Sequence, residues 1–191
     1  MSELDLGLSI ALGVGLAAAT GLRLFLPMLV VSVAAYSGHL PLSDNFAWLA
    51  TPAALVLLSV AALAEILAYY IPGLDNLLDT LATPAAFVAG TVIAAAVITD
   101  LPPMVKWAAA IIAGGGIAGV TQTTSAVLRA KSTMLTGTLG NPVIATAEFG
   151  GSLLISLMAL VAPLLTLVVI VVLLWLGFRW FRQLSRQPRP S

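Results

Sequence analysis

The sequence predicts an all-α, polytopic transmembrane helical bundle of about six spans, arranged as a 3+3 inverted repeat. Three observations predict it. Of 191 residues, 60% are hydrophobic and 8% charged, whereas a soluble domain carries roughly 25% charged residues. Residues 24–43, 45–64, 80–99 and 149–178 contain no Asp, Glu, Lys or Arg, and about 20 apolar residues suffice to span a bilayer as a helix. Finally, Gly15-Leu-Ala-Ala-Ala-Thr20 is echoed by Gly116-Ile-Ala-Gly-Val-Thr121.

Segment one runs from Gly7 to Tyr36 and ends in the turn chemistry of Ser37-Gly38-His39-Leu40-Pro41. As one helix it would measure roughly 45 Å, against a hydrocarbon core of about 30 Å. It must therefore tilt or be interrupted at its glycines, and Pro27 favours a kink. A break would present backbone N–H groups and a positive dipole end to an anion, with Arg23 reinforcing them. Segment two, Phe46 to Ile71, stops at Pro72-Gly73. An amphipathic cytoplasmic link, Leu74 to Thr83, follows. It sets Asp75 and Asp79 at i,i+4 spacing opposite Leu77, Leu78 and Leu81.

Segment three, Pro84 to Thr99, is closed by Asp100-Leu101-Pro102-Pro103, and segment four runs from Met104 to Leu128. A polar stretch from Arg129 to Asn141 leads into segments five and six, 142–161 and 163–182, divided at Pro163 unless that proline only kinks one long helix. The expectation is a single transmembrane domain, 1–182, with halves 1–100 and 101–182, and a disordered basic tail, 183–191. Three spans per half invert the second half relative to the first, as in many transporters. In each half the second helix carries one acid after alanine, Ala64-Glu65 and Ala147-Glu148.

Zero net charge gives no reason to expect a nucleic-acid partner. The absence of cysteine excludes thiol chemistry, and a lone His39, placed in a solvent-facing loop, excludes a multi-imidazole metal site. No cofactor or metal is expected. The acidic start, Met1-Ser2-Glu3-Leu4-Asp5, is unlike a signal peptide, so the first segment should be retained. Arg129, Lys131, Arg179, Arg182, Arg186 and Arg189 fall on one side of a six-span chain and Lys106 on the other. The positive-inside rule then sets both termini in the cytoplasm. Trp48, Tyr69, Tyr70, Trp107, Trp175 and Trp180 fit aromatic belts near span ends.

Ionisable groups inside spans cost about 2.5–3.5 kcal/mol each, and those present usually face a cavity or a partner. Arg23, Glu65 and Glu148 are the candidates. Ala145, Glu148, Ser152 and Ser156 form one polar stripe, with Gly150 and Gly151 permitting close helix approach. Glu65 shares a face with Ala61, Ala62, Ala68 and Tyr69. Thr121-Gln122-Thr123-Thr124-Ser125 is too polar to face lipid all round, so either Gln122-Ser125-Arg129 or Thr121-Thr124-Ser125 should line protein or water. The expected solute or ion pathway comprises Thr20, Arg23, Glu65, Thr121, Gln122, Thr124, Ser125, Asn141, Glu148 and Ser152. No nucleophile–base constellation points to an enzyme. A small transporter or channel is expected, with the glutamates coupling protons or cations. A structural or assembly protein, as a homo-oligomer or complex subunit, is the alternative; Asp75 and Asp79 would then be its docking face.

Gly15-Leu-Ala-Ala-Ala-Thr-Gly-Leu-Arg23-Leu-Phe-Leu-Pro27, with Glu65, Ile71-Pro72-Gly73-Leu74-Asp75 and Asp79, resembles the bacterial membrane family catalogued as domain of unknown function 4126. The resemblance covers nearly the whole chain. It implies a small multi-span inner-membrane protein and no particular activity. Arg23, Glu65, Asp75, Asp79, Asn141 and Glu148 match the family pattern. Tyr69-Tyr70, Asn76 and Phe149 depart from it, standing where that pattern favours an Asp-Lys pair, a His and the second acid of a Glu-Asp pair.

Overall fold

The computed structural model describes residues 3–71, 74–99, 101–137 and 139–184, all helices and short connections. Eight α-helices follow in order: α1 (Glu3–Thr20), α2 (Phe25–Tyr36), α3 (Pro52–Ala68), α4 (Leu74–Val97), α5 (Pro103–Ala109), α6 (Gly116–Thr136), α7 (Asn141–Val161) and α8 (Pro163–Leu184). A 3-10 helix, Asp44–Ala50, precedes α3 at a bend of 71°. A π-helical stretch, Ala110–Gly115, joins α5 to α6.

The expected first segment is broken. Its break lies at Gly21–Leu24 rather than at Gly13 or Gly15. Proline explains the position: its ring clashes with the carbonyl four residues earlier, and for Pro27 that carbonyl belongs to Arg23. Pro27 then sits in the first turn of α2, where its missing N–H costs nothing. Segment four, in contrast, is widened rather than broken at Gly114–Gly115, and α6 carries straight on to Thr136. The expected polar loop from Arg129 is therefore mostly helix. The link and segment three likewise fuse into α4, with Pro84 inside it. Pro163 does separate two helices, α7 and α8. Beyond Leu184, the expected tail lies outside the described residues.

The core is built on small side chains. α1 is buried on every side from Ala11 to Gly21, and it packs against α4, α6, α7 and α8. An all-round apolar helix belongs in such an interior. α4 crosses the π-stretch backbone to backbone. A Cβ on Gly114 would come within 2.6 Å of the Gly90 carbonyl oxygen, and one on Gly115 within 3.0 Å of that of Phe87. Outer faces are apolar too: Val56, Val60, Leu63 and Leu67 on α3 and Val168, Val171 and Trp175 on α8 are exposed. Such a surface suggests a membrane protein, whose solvent is hydrocarbon.

By length and composition, Thr80–Val97, Pro103–Thr136 and Asn141–Val161 can each cross a bilayer. The bent pair Asp44–Ala50 and Pro52–Ala68 makes a fourth if it is one span. Leu4–Thr20, Phe25–Tyr36 and Pro163–Leu176 are apolar but shorter.

Candidate functional site

The break in segment one creates the site. Gly21, Leu22 and Arg23 still donate backwards to Ala17 and Ala19. The next two N–H groups, of Leu24 and Phe25, have no carbonyl to reach at the start of α2. The Glu65 carboxylate of α3 accepts both: Leu24 N–H donates to Oε1 at 2.7 Å and Phe25 N–H to Oε2 at 3.0 Å. An anion at a helix N-terminus is thus present, and it is the protein's own side chain.

Glu148 of α7 occupies a different setting. It is 5% exposed and pairs with two arginines. Arg129 of α6 donates through Nε to Oε1 at 3.1 Å and through Nη2 to Oε2. Ser125, one turn earlier on α6, also donates to Oε1. Arg23 Nη2 lies 3.3 Å from Oε2 and donates to the Ala145 carbonyl at 2.8 Å. Both arginines are 1% exposed, and both guanidiniums stack on the Tyr69 ring, 4.2 and 4.1 Å from its centroid. Removed from water, such stacking is worth up to about 2 kcal/mol. Arg23 Nε and Nη1 and Gln122 Nε2 are buried and have no hydrogen-bond partner among the described residues.

Two of these residues correct sequence expectations. Arg129 is an internal counter-ion and not a basic loop residue, because α6 continues through it. The signal was the i,i+3,i+7 spacing of Gln122, Ser125 and Arg129, a face that is indeed buried. Tyr69 is 5% exposed and belongs to the arginine pair rather than to an aromatic belt; proximity to Pro72-Gly73 had pointed to a span end. Tyr70 is exposed and meets Thr146 at 2.8 Å, Trp48, Trp107 and Trp175 are also exposed, and the Trp180 side chain lies outside the described residues. His39 is exposed in its loop.

The remaining expected site residues divide. Ala145, Glu148, Ser152 and Ser156 form a buried stripe as expected. Ser152 donates to the Ala19 carbonyl at 3.0 Å, tying α7 to α1. Gly151 faces Leu22, but Gly150 faces open space, so only one of the pair serves close approach. Thr20 is buried and donates to Leu16 of its own helix. Asn141 is buried and donates to Thr133. Thr123 and Thr124 are exposed and return their hydroxyls to Gly119 and Val120. The side chains of Asp75 and Asp79 lie outside the described residues. Among the described residues, no three acids or histidines come together as a metal-ligand set.

Two apolar grooves reach the acids separately. One, of about 350 Å³, is lined by Leu24, Phe25, Glu65, Tyr69 and by alanines and leucines of α3 and α4. The other, of about 480 Å³, is lined by Thr121, Thr124, Ser125, Glu148 and apolar residues of α1, α6, α7 and α8. Tyr69 lines the first and Glu148 the second, and neither of these two grooves is lined by both acids.

No curated protein and no solved structure matches this chain. A family model described as a domain of unknown function, DUF4126, matches residues 10–183. That match covers nearly the full length and both acids, and the chain therefore belongs to this family.

Proposed function

We propose that this protein is a small, non-enzymatic transporter or channel for a polar solute or ion in a bacterial inner membrane. Glu65 and Glu148 supply proton or cation coupling. The observation that carries this reading is the buried Arg23–Tyr69–Arg129 stack, flanked by two acids that are each open to a separate groove. Charge inside a bundle is costly, and it usually marks a pathway when a cavity reaches it.

In this reading the halves 1–100 and 101–182 are inverted repeats of three crossings, with α1 and α2 together as the first. Support comes from the donors to the acids. Leu24 lies nine residues after Gly15 and Ser125 nine residues after Gly116; Leu24 donates to Glu65 and Ser125 to Glu148. Both termini are cytoplasmic. With Arg129 withdrawn into the core, Lys131, Arg179, Arg182, Arg186 and Arg189 remain against Lys106.

One observation favours a structural or assembly role instead: Ser125, Ser152, Thr20 and Asn141 all hydrogen-bond within the bundle. Proteoliposomes holding a pH-reporting dye separate the two readings when challenged with weak acids, amines and monovalent cations. Transport gives a protein-dependent pH change that Glu65→Gln and Glu148→Gln abolish while the protein stays folded. No protein-dependent flux of any probe, or flux untouched by both substitutions, would refute it.

A further inference from the structure

We infer that the Glu65 carboxylate is a tethered stand-in for the solute, and that the solute is a monocarboxylate with a short apolar tail. This deepens the transport reading and rests on it. The argument starts from what the start of α2 offers. Two consecutive N–H groups, of Leu24 and Phe25, are held by the two oxygens of one carboxylate, at 2.7 and 3.0 Å. An independent observation lies one residue away. Arg23, 1% exposed, keeps Nε and Nη1 without a hydrogen-bond partner among the described residues. Buried guanidinium donors are rarely left unmade, and Glu65 in its present position does not take them.

Charge supplies the next step. The charged groups nearest Glu65 are Arg23 at the break and Arg129 on α6, with Tyr69, just past the end of α3, lining the same groove and Glu148 of α7 beyond Arg23. The described α4 residues of the groove, Leu78, Leu81, Ala82 and Ala85, are uncharged. Arg23 and Arg129 exceed Glu148 by one positive charge, which the Glu65 carboxylate cancels. When Glu65 takes a proton and swings away, one monovalent anion restores neutrality at the same N–H pair and meets the unused Arg23 donors. Proton and anion therefore occupy the site together, in a ratio of one to one. The groove beside Glu65 is walled by Ala61, Ala64, Ala68 and Leu81; it gives the side chain room to leave and suits an apolar tail rather than a second polar group.

The test is calorimetric titration of the full chain in lipid nanodiscs with acetate, butyrate and octanoate, and with chloride as control. A parallel arm carries oleate in the nanodisc lipid, to separate a water-borne from a bilayer-borne carboxylate. Wild type should bind butyrate more tightly than acetate, and the affinity for each should rise about tenfold per unit fall in pH between 8 and 6, where one proton accompanies each anion. Glu65→Ala, which removes the internal competitor, should bind at least tenfold more tightly at pH 7 and lose the pH dependence. Glu65→Gln should move the same way and serves if the alanine variant fails to fold. Displacement of butyrate by oleate would assign the bilayer as the source; no displacement assigns water. Binding equal in wild type and variants, or no binding of any carboxylate, overturns the inference. If no carboxylate binds while Glu65→Gln still abolishes a flux, the solute class falls and transport stands. Expected binding without flux of any probe leaves the site and removes transport.

Discussion

Glu65 and Glu148 each lie on the helix after a glycine-rich one, and they are held by different means. Glu148 is neutralised by two full charges and a hydroxyl, beside a groove of its own. Glu65 is neutralised mainly by backbone N–H groups at a helix end, beside a groove. A carboxylate between two arginines cannot leave without stranding both. One at a helix terminus gives up hydrogen bonds and a partial charge, and leaves the surplus charge of the arginine pair for a proton-linked anion to balance. The first arrangement is a fastener and the second a latch.

The largest effect should come from Glu148→Ala. It strands two buried guanidiniums, and thermal unfolding in detergent should show a loss of about 3–5 kcal/mol. A smaller loss than that of Glu65→Ala would break the comparison. Tyr69→Leu should cost about 2 kcal/mol by removing the ring on which both arginines stack. Tyr69→Phe keeps that ring and should cost clearly less; equal losses would show that stacking is not what the ring contributes. Glu65→Gln retains one acceptor for the paired N–H groups, so its stability cost should be about 1 kcal/mol. A cost matching that of Glu148→Ala would make both acids fasteners. The smallest effect is expected beside Glu148 itself. A Cβ at Gly150 meets nothing within 4 Å, so Gly150→Ala should raise stability by roughly 0.4–1 kcal/mol. A loss there would mean that the α7 surface is covered by a partner.

Much of this was legible from residue spacing. The serine stripe of α7, the buried Gln122-Ser125-Arg129 face and the separation at Pro163 follow from period and proline chemistry alone. The break in the first segment was foreseeable and begins at one of its glycines, Gly21, whereas Gly13 and Gly15 serve close packing. Pro27 placed the break through the Arg23 carbonyl. Arg129 was misplaced because hydropathy falls along α6 well before the helix ends. Tyr69 was misread because its ring is buried by two arginines distant in sequence, contacts that no local pattern reports. The hydrogen-bond partners of Glu65 are main-chain groups, which carry no sequence signature.

The crossing of α4 over the π-stretch has a mechanical consequence. Side chains that interlock can re-register in steps, like teeth. Here Gly90, Gly114 and Gly115 bring main chain close to main chain, and only the small groups of Ala118, Ala94 and Thr91 seat in the notches they leave. Sliding has no second notch to fall into, whereas rotation about the point of contact keeps the surfaces touching. The crossing is therefore built as a fulcrum. Any rocking of one half against the other should leave it nearly still and grow with distance along both helices.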